Sequence, residues 1–184
     1  MVKITMFNGS PRVNGCSSRL LEQVKLGAES KGAVVSTFQL NAPGIRGCQG
    51  CLYCRKHDGC ATKDVFWPVY KEIKEADAVV LAAPIYCGQI SGQAKIWLDR
   101  MFPMLGEGMI PRYPGKKFVT IYSQGKKDET RYMKEIEGVN DILRYCGWDM
   151  TASILSSGSN AEAFSHTEDI LGAAYEAGER LALV

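Results

Sequence analysis

Segments of strand character alternate with segments of helical periodicity five times along this chain of 184 residues. The strand segments are short runs of apolar and β-branched residues, and the helical segments repeat apolar residues every three or four positions. Such alternation predicts a parallel sheet with right-handed crossovers and helices on both faces. We predict strands at residues 2–7, 34–38, 78–82, 118–122 and 150–155, and helices at residues 17–31, 65–76, 93–101, 128–145 and 166–183.

Composition limits the classes of protein and partner. Hydrophobic residues make up 46% of the chain, and a net charge of +2 gives no electrostatic reason to expect nucleic acid or an anionic membrane as a partner. The longest apolar run, at residues 78–86, is too short to span a bilayer, and the N-terminus lacks the layout of a signal peptide. Seven cysteines then indicate a cytoplasmic protein whose thiols serve as ligands or redox groups rather than as disulfides.

The loop at residues 9–18 joins the first predicted strand to the first predicted helix. N–H groups at a helix N-terminus lack intrahelical partners and lie at the positive end of the helix dipole, so a strand, a tight polar loop and a helix form an anion site. Ser10, Ser17 and Ser18 add hydroxyl donors, and Arg12 adds a guanidinium. We interpret the loop as a phosphate-binding loop. An ordinary capped helix after a turn is the alternative, and it accounts for Ser17 and Ser18 only.

Two more loops leave the same edge of the predicted sheet, where ligands of parallel sheets bind. Residues 84–88 follow the third strand and combine exposed backbone with the ring of Tyr86. These features suit a flat heterocycle, although a surface loop that merely buries Tyr86 is the alternative. Residues 123–125 follow the fourth strand and are placed to border the far edge of such a ring.

Four cysteines lie in a long irregular segment at about residues 41–62. Their spacing, Cys48-x-x-Cys51-x-x-Cys54-x5-Cys60, places four thiols in one short segment, as in loops that hold [4Fe–4S] clusters. Structural zinc sites tend instead to divide into two separated Cys-x-x-Cys pairs. The pattern therefore favours an iron–sulfur cluster, with zinc and a metal-free loop as the alternatives that stay open.

Together these motifs resemble the NADPH-dependent FMN reductase group of flavodoxin-like proteins. The resemblance rests on G-S-P-R-x-x-G-x-S-S after the first strand, P-I-Y-x-G after the third and L-D-R at residues 98–100. Within that group, the cysteine run resembles that of the iron–sulfur flavoproteins. The chain departs from the pattern at Cys16, where relatives usually carry Asn, and no Pro follows Cys60.

The resemblance implies a fold and a set of site residues. The fold is one flavodoxin-like FMN-binding domain over residues 1–184, a doubly wound five-stranded parallel sheet in the order 2-1-3-4-5 with helices on both faces. No catalytic side chain is expected, because the flavin carries the redox chemistry. The expected FMN contacts are Ser10, Arg12, Cys16, Ser17, Ser18, Pro84, Ile85, Tyr86, Cys87, Gly88, Ser123, Gln124 and Gly125, and the expected cluster ligands are Cys48, Cys51, Cys54 and Cys60.

The function implied by the resemblance is an FMN-dependent oxidoreductase that passes electrons between FMN and a [4Fe–4S] cluster. NAD(P)H is the expected electron donor, and a small molecule or a ferredoxin-like protein is the expected electron partner. A homodimer or homotetramer is expected, with the cysteine loop of one subunit beside its neighbour's FMN. Two alternatives stay open: a cluster-free NAD(P)H-dependent FMN or quinone reductase, and a non-enzymatic redox carrier.

Overall fold

The computed structural model of the protein describes residues 1–158 and 167–183. Its strands are β1 (Lys3–Asn8), β2 (Val34–Gln39), β3 (Ala78–Tyr86), β4 (Gln89–Ile90), β5 (Lys117–Ser123) and β6 (Asp149–Ser156). Its α-helices are α1 (Cys16–Ser30), α2 (Tyr53–Lys56), α3 (Val69–Glu75), α4 (Gly92–Asp99), α5 (Met133–Tyr145) and α6 (Thr167–Leu181). Short 3-10 helices lie at Phe102–Met104, Glu107–Met109 and Glu129–Tyr132. His166, the predicted start of the last helix, lies outside the described residues.

The sheet has the predicted topology. Its five parallel strands lie in the order β2-β1-β3-β5-β6, which is 2-1-3-4-5 when the parallel strands alone are numbered, so the predicted doubly wound, flavodoxin-like order is confirmed. The short strand β4 pairs antiparallel with the end of β3 and was not expected from the sequence. The strand order reverses between β1 and β3, and the loops that leave these two strands diverge there. A crevice therefore opens at this point of the carboxyl edge.

The core has two layers because successive residues of a strand face opposite sides of the sheet. Val80 of β3 packs with residues of α1 and α6, whereas its neighbour Leu81 packs with residues of α3, α4 and α5 on the other side. The second layer contains two fully buried tryptophans, Trp97 of α4 and Trp148 before β6. In the described part of the chain, no helix has both the length and the apolar character that crossing a membrane requires.

Three elements differ from the predicted bounds by four residues or more. Helix α5 begins at Met133 rather than at residue 128, because Glu129–Tyr132 forms a 3-10 helix. Strand β3 continues to Tyr86, four residues beyond the prediction, because Pro84 still pairs with Ser123 of β5 and Ile85 pairs with Ile90 of β4. Helix α3 begins at Val69 rather than near residue 65. The carboxylate and the carbonyl of Asp64 accept hydrogen bonds from the next residues and form a turn that ends at Pro68.

Helices α1 and α6 touch through glycines. An ideal Cβ at Gly178 of α6 would overlap the carbonyl oxygen of Val24, and one at Gly27 of α1 would overlap the carbonyl oxygen of Tyr175. The two backbones therefore approach more closely than any larger residue permits.

We expect Gly178→Ala to lower the free energy of unfolding by about 2 kcal/mol or more, because the added methyl group forces the helices apart. Urea denaturation followed by circular dichroism measures this change. Gly172→Ala on the same helix is the matched control, since nothing lies within 4 Å of its Cβ position. It should be neutral, or stabilising by about 0.5–1 kcal/mol through helix propensity. Equal effects of the two substitutions would contradict the close contact.

Candidate functional site

The loop after β1 is tied down by its own hydrogen bonds. The N–H of Gly9 donates to the carbonyl of Ala82 in β3 (2.7 Å), and the Ser91 hydroxyl donates to the carbonyl of Gly9 (2.7 Å). A Cβ at Gly9 would lie 2.8 Å from the Cβ of Ala94, so glycine is required for this approach to α4. The N–H of Ser10 donates to the Asn8 side chain (2.9 Å). The loop therefore turns sharply at the carboxyl end of β1.

Helix α1 begins at this loop, at Cys16. An α-helix leaves its first N–H groups without intrahelical partners, and no described side chain caps α1 at Gly15. A Cβ at Gly15 would lie 3.0 Å from the Ser10 hydroxyl, so the loop closes tightly against the helix start. The hydroxyls of Ser17 and Ser123 lie 2.7 Å apart and join this first turn to the end of β5. The arrangement presents N–H donors and the positive end of a 15-residue helix to an anion.

The loop after β3 is a two-residue hairpin turn. Cys87 has a φ of 51° and Gly88 a φ of 82°, and the flanking residues Tyr86 and Gln89 pair as β3 and β4. Positive φ at both turn residues is the geometry that matches the twist of a tight hairpin. The ring of Tyr86 remains 39% exposed at the rim.

The loop after β5 is held from the neighbouring strand. The N–H of Gln124 donates to the carbonyl of Ser156 (2.8 Å), which prolongs the contact between β5 and β6. The Gln124 side-chain amide donates to the carbonyls of Lys126 (3.1 Å) and Asp128 (2.7 Å). These bonds fix Ser123, Gln124 and Gly125 as one wall above the sheet.

The three loops enclose one cleft of about 260 Å³ at the predicted edge of the sheet. The start of α1 lines one part of the cleft, and the loops after β3 and β5 line the rest. Its lining residues are Ser10, Arg12, Asn14, Gly15, Cys16, Ser17, Arg19, Pro84, Ile85, Tyr86, Ser123, Gln124 and Gly125.

Most of the residues expected to contact FMN thus lie in one place, with three exceptions. Ser18 does not line the cleft; its hydroxyl donates to the carbonyl of Arg12 (2.9 Å) and accepts from Asn8 (2.8 Å). The turn residues Cys87 and Gly88 also lie outside the lining.

Three lining residues were not predicted: Asn14, Gly15 and Arg19. Helical spacing would have indicated Arg19, which is three residues after Cys16 and so shares its side of α1. Asn14 and Gly15 belong to the predicted loop, but their side-chain types gave no chemical signal of their own.

The four cysteines of the long loop differ in their exposure. Cys48 and Cys51 are exposed, Cys54 is buried in α2, and Cys60 is half-buried beside the core. Within residues 1–158 and 167–183, no three Cys, His, Asp or Glu side chains are gathered as a metal site requires. Cys146 is distant from this loop in sequence but lines one cavity with Cys48. Burial raises the pKa of its thiol to about 11, so it stays protonated at neutral pH.

Two arginines hold the middle of the cysteine loop. Arg55 stacks on the ring of Phe102 (3.7 Å to the centroid) and donates to the carbonyls of Phe102 (2.7 Å) and Gly106 (3.0 Å). Arg112 donates to the carbonyls of Cys54 (2.9 Å) and Arg55 (3.3 Å), at the end of α2. The Nε–H donors of both arginines are buried without a partner among the described residues. The loop supplies four thiols, and Arg55 and Arg112 supply unpaired cationic donors beside it, a chemistry that suits an anionic cluster. Among the described residues, however, the thiols are not gathered into one site.

Two carboxylates of this region are held in the ionised form. Burial by itself raises the pKa of Asp58 and of Asp64. Hydrogen bonds to Asp58 from Lys74 and to Asp64 from Arg100 more than offset this effect, so both pKa values lie below the usual value. The loop therefore carries fixed negative charges that are matched by neighbouring cations.

Helix α4 separates the two regions. Its first turn lies at the cleft, where Ser91 bonds to Gly9, and Arg100, directly after its last turn, contacts the cysteine loop. Eight residues of α-helix span about 12 Å. Within one chain, the cleft thus lies near the start of α4. The cysteine loop runs from Asn41, which accepts from Gln93 in the first turn (3.0 Å), to Cys48, which lines a cavity with Asp99 at the end of the helix.

The chain is similar in sequence to several proteins named iron–sulfur flavoproteins. An iron–sulfur flavoprotein of Archaeoglobus fulgidus is 36% identical over 97 residues, which cover 53% of this chain and 49% of the relative. A second iron–sulfur flavoprotein of the same organism is 30% identical over 129 residues, covering 70% and 59%. The chain thus spans about half the length of the relatives that it matches.

The fold has solved counterparts as well. An NAD(P)H:quinone oxidoreductase from Methanothermobacter marburgensis superposes with a TM-score of 0.72 over 98% of both chains, at 18% identity. That likeness shows a shared fold. The sequence model of the family described as NADPH-dependent FMN reductase matches residues 2–133, a segment that contains β1 to β5 and all three loops of the cleft. The chain belongs to the NADPH-dependent FMN reductase family.

Proposed function

We propose that the protein is an FMN-dependent oxidoreductase whose cofactor lies in the cleft at the carboxyl edge of the sheet. The observation that carries this proposal is the start of α1, which opens on the cleft without a side-chain cap and is accompanied by Arg12. Such a helix start, at the switch point of a flavodoxin-like sheet, is an anion site. Membership of the FMN reductase family supports FMN as the ligand.

The cleft residues divide into two groups of roles. N–H groups at the start of α1 and the Arg12 guanidinium would bind the phosphate, while the Ser17 hydroxyl, held by Ser123, would position that first turn. At the other end, Pro84, Ile85 and Tyr86 would lie against the ring, and residues 123–125 would border it. FMN, when bound, supplies the two-electron redox chemistry, so the chain's own residues need only bind it, orient it and exclude water.

We expect Arg12→Ala combined with Ser17→Ala to weaken FMN binding by about tenfold to a hundredfold, because a charge-assisted hydrogen bond is lost. The backbone carbonyl of residue 12, which accepts hydrogen bonds from Ser10, Gly15 and Ser18, remains in this variant. Quenching of FMN fluorescence during titration measures the dissociation constant. Arg180→Ala, which removes an exposed arginine on α6 outside the cleft, is the control. An unchanged constant in the double variant would contradict the phosphate site.

Turnover distinguishes an enzyme from a carrier. We propose NAD(P)H as the electron donor, supported by the family description. The FMN-loaded protein should oxidise NADH or NADPH over many turnovers with a quinone or free FMN as acceptor, as followed by nicotinamide absorbance. Steady-state rates with both nucleotides also decide the preferred donor. Reversible reduction by ferredoxin without any nucleotide turnover would favour the redox carrier instead.

We further propose that Cys48, Cys51, Cys54 and Cys60 hold a [4Fe–4S] cluster after the exposed part of the loop rearranges around the buried Cys54. The support comes from four thiols in one loop, from the unpaired Nε–H donors of Arg55 and Arg112, and from relatives named iron–sulfur flavoproteins. Such a cluster, when bound, supplies one-electron transfer.

Protein prepared without oxygen should contain about four iron and four sulfide ions per chain. Cys54→Ser should lose most of this iron and keep FMN, because Cys54 does not line the cleft. Iron and sulfide analysis together with the flavin spectrum provides the measurement. Cys146→Ser, which changes a buried thiol outside the loop, should keep both cofactors. Flavin without stoichiometric iron in the wild-type protein would favour the cluster-free reductase.

We also propose that the protein forms a homodimer or homotetramer and that it is cytoplasmic. In one chain, the cleft lies near the start of α4 and Cys48 lies near its end, which supports a homodimer or homotetramer that sets one subunit's loop beside another's FMN. All seven cysteines are free thiols, which supports a reducing, cytoplasmic compartment.

A further inference from the structure

A buried ion pair closes the loop that contains the four cysteines. Arg100 donates to both carboxylate oxygens of Asp64, from Nη1 (2.8 Å) and from Nη2 (3.1 Å). Nη1 also donates to the carbonyl of Arg46 (2.7 Å), and the N–H of Arg46 donates to the Asp64 carboxylate (2.9 Å). Arg46 precedes the first cysteine and Asp64 follows the last, so the two ends of the loop meet on one guanidinium.

Tyr70 also holds the Arg100 guanidinium in place. Its Nε donates to the Tyr70 hydroxyl (2.8 Å), which in turn donates to the carbonyl of Arg100 (3.0 Å). The side chains of Arg100 and Asp64 are only 1% and 5% exposed. A buried pair with this many hydrogen bonds has a single geometry, because the loss of any partner leaves a charge or a polar group unsatisfied.

We propose that Arg100 is a positioning residue that closes the cysteine loop before any metal arrives. Its planar fork joins the Asp64 carboxylate to the Arg46 carbonyl, a task that needs several donors in fixed directions. The loop ends are then ordered in advance, so a cluster that assembles there has less chain entropy to overcome. The identity of the metal centre rests on the proposed function, whereas the closure itself does not.

The test is thiol labelling of metal-free, FMN-free Arg100→Lys. Lysine keeps a positive charge beside Asp64, but one ammonium cannot replace the fork. Labelling of Cys54 by a neutral maleimide, followed by peptide mass spectrometry, should be about tenfold faster, because the loop opens more often when these bonds are lost. The labelling rates of Cys16 and Cys87 should not change.

Lys116→Met is the matched control, because Lys116 is another buried cation that donates to carbonyls, those of Lys74 (2.9 Å) and Ala76 (2.6 Å), at the end of α3. It should leave the rate at Cys54 unchanged. Wild-type rates in Arg100→Lys, or equal acceleration in Lys116→Met, would overturn the proposal.

Two further measurements keep the test decisive. If Arg100→Lys does not fold, Tyr70→Phe removes one hydroxyl from behind the guanidinium and should accelerate labelling of Cys54; an unchanged rate there would overturn the proposal as well. On anaerobic reconstitution, Arg100→Lys should take up less iron than the wild type while binding FMN with unchanged affinity. If the wild type takes up no iron, the proposed cluster fails, and the labelling rates still decide the role of Arg100.

Discussion

The carbonyl oxygen of Arg12 is the point on which the candidate cofactor site depends. It accepts hydrogen bonds from the Ser10 hydroxyl (3.1 Å), the Gly15 N–H (3.2 Å) and the Ser18 hydroxyl (2.9 Å). A carbonyl oxygen has two lone pairs, so these three donors share one acceptor and draw the loop into a compact fold. The first turn of α1 is thereby fixed at the end of β1, and the cleft owes its position and its positive end to this arrangement.

The parts of the fold that were predictable from sequence are those encoded locally. Alternation of side-chain direction fixed which strand residues face each helix layer, and Val80 and Leu81 of β3 lie on opposite sides as that pattern requires. The order of the parallel strands followed from the family resemblance together with the handedness of crossovers. Loops with unusual composition after β1, β3 and β5 were identifiable because all three leave the same edge of a parallel sheet.

What the sequence could not indicate depends on contacts between distant residues. Asp64 and Arg100 are separated by 36 positions, and no periodicity links them; the L-D-R motif indicates a family resemblance but not this ion pair. The extension of β3 to Tyr86 required two partners, β5 and β4, and β4 has only two residues. The hydroxyl of Ser18 was expected to face an anion, yet Arg12 and Asn8 hold it within the loop. In each case, the observed contact depends on a partner residue that the local sequence pattern does not identify.

Helix α4 has a consequence for the relation between the two regions. Ser91 fastens its first turn to the carbonyl of Gly9, and Arg100, one residue beyond its last turn, fastens the ion pair with Asp64. Between these anchors, the backbone hydrogen bonds of the helix leave little room for compression. A shift of α4 along its own axis would therefore strain the anchor at Gly9 and the anchor at Asp64 together, so the two anchors are coupled along that direction.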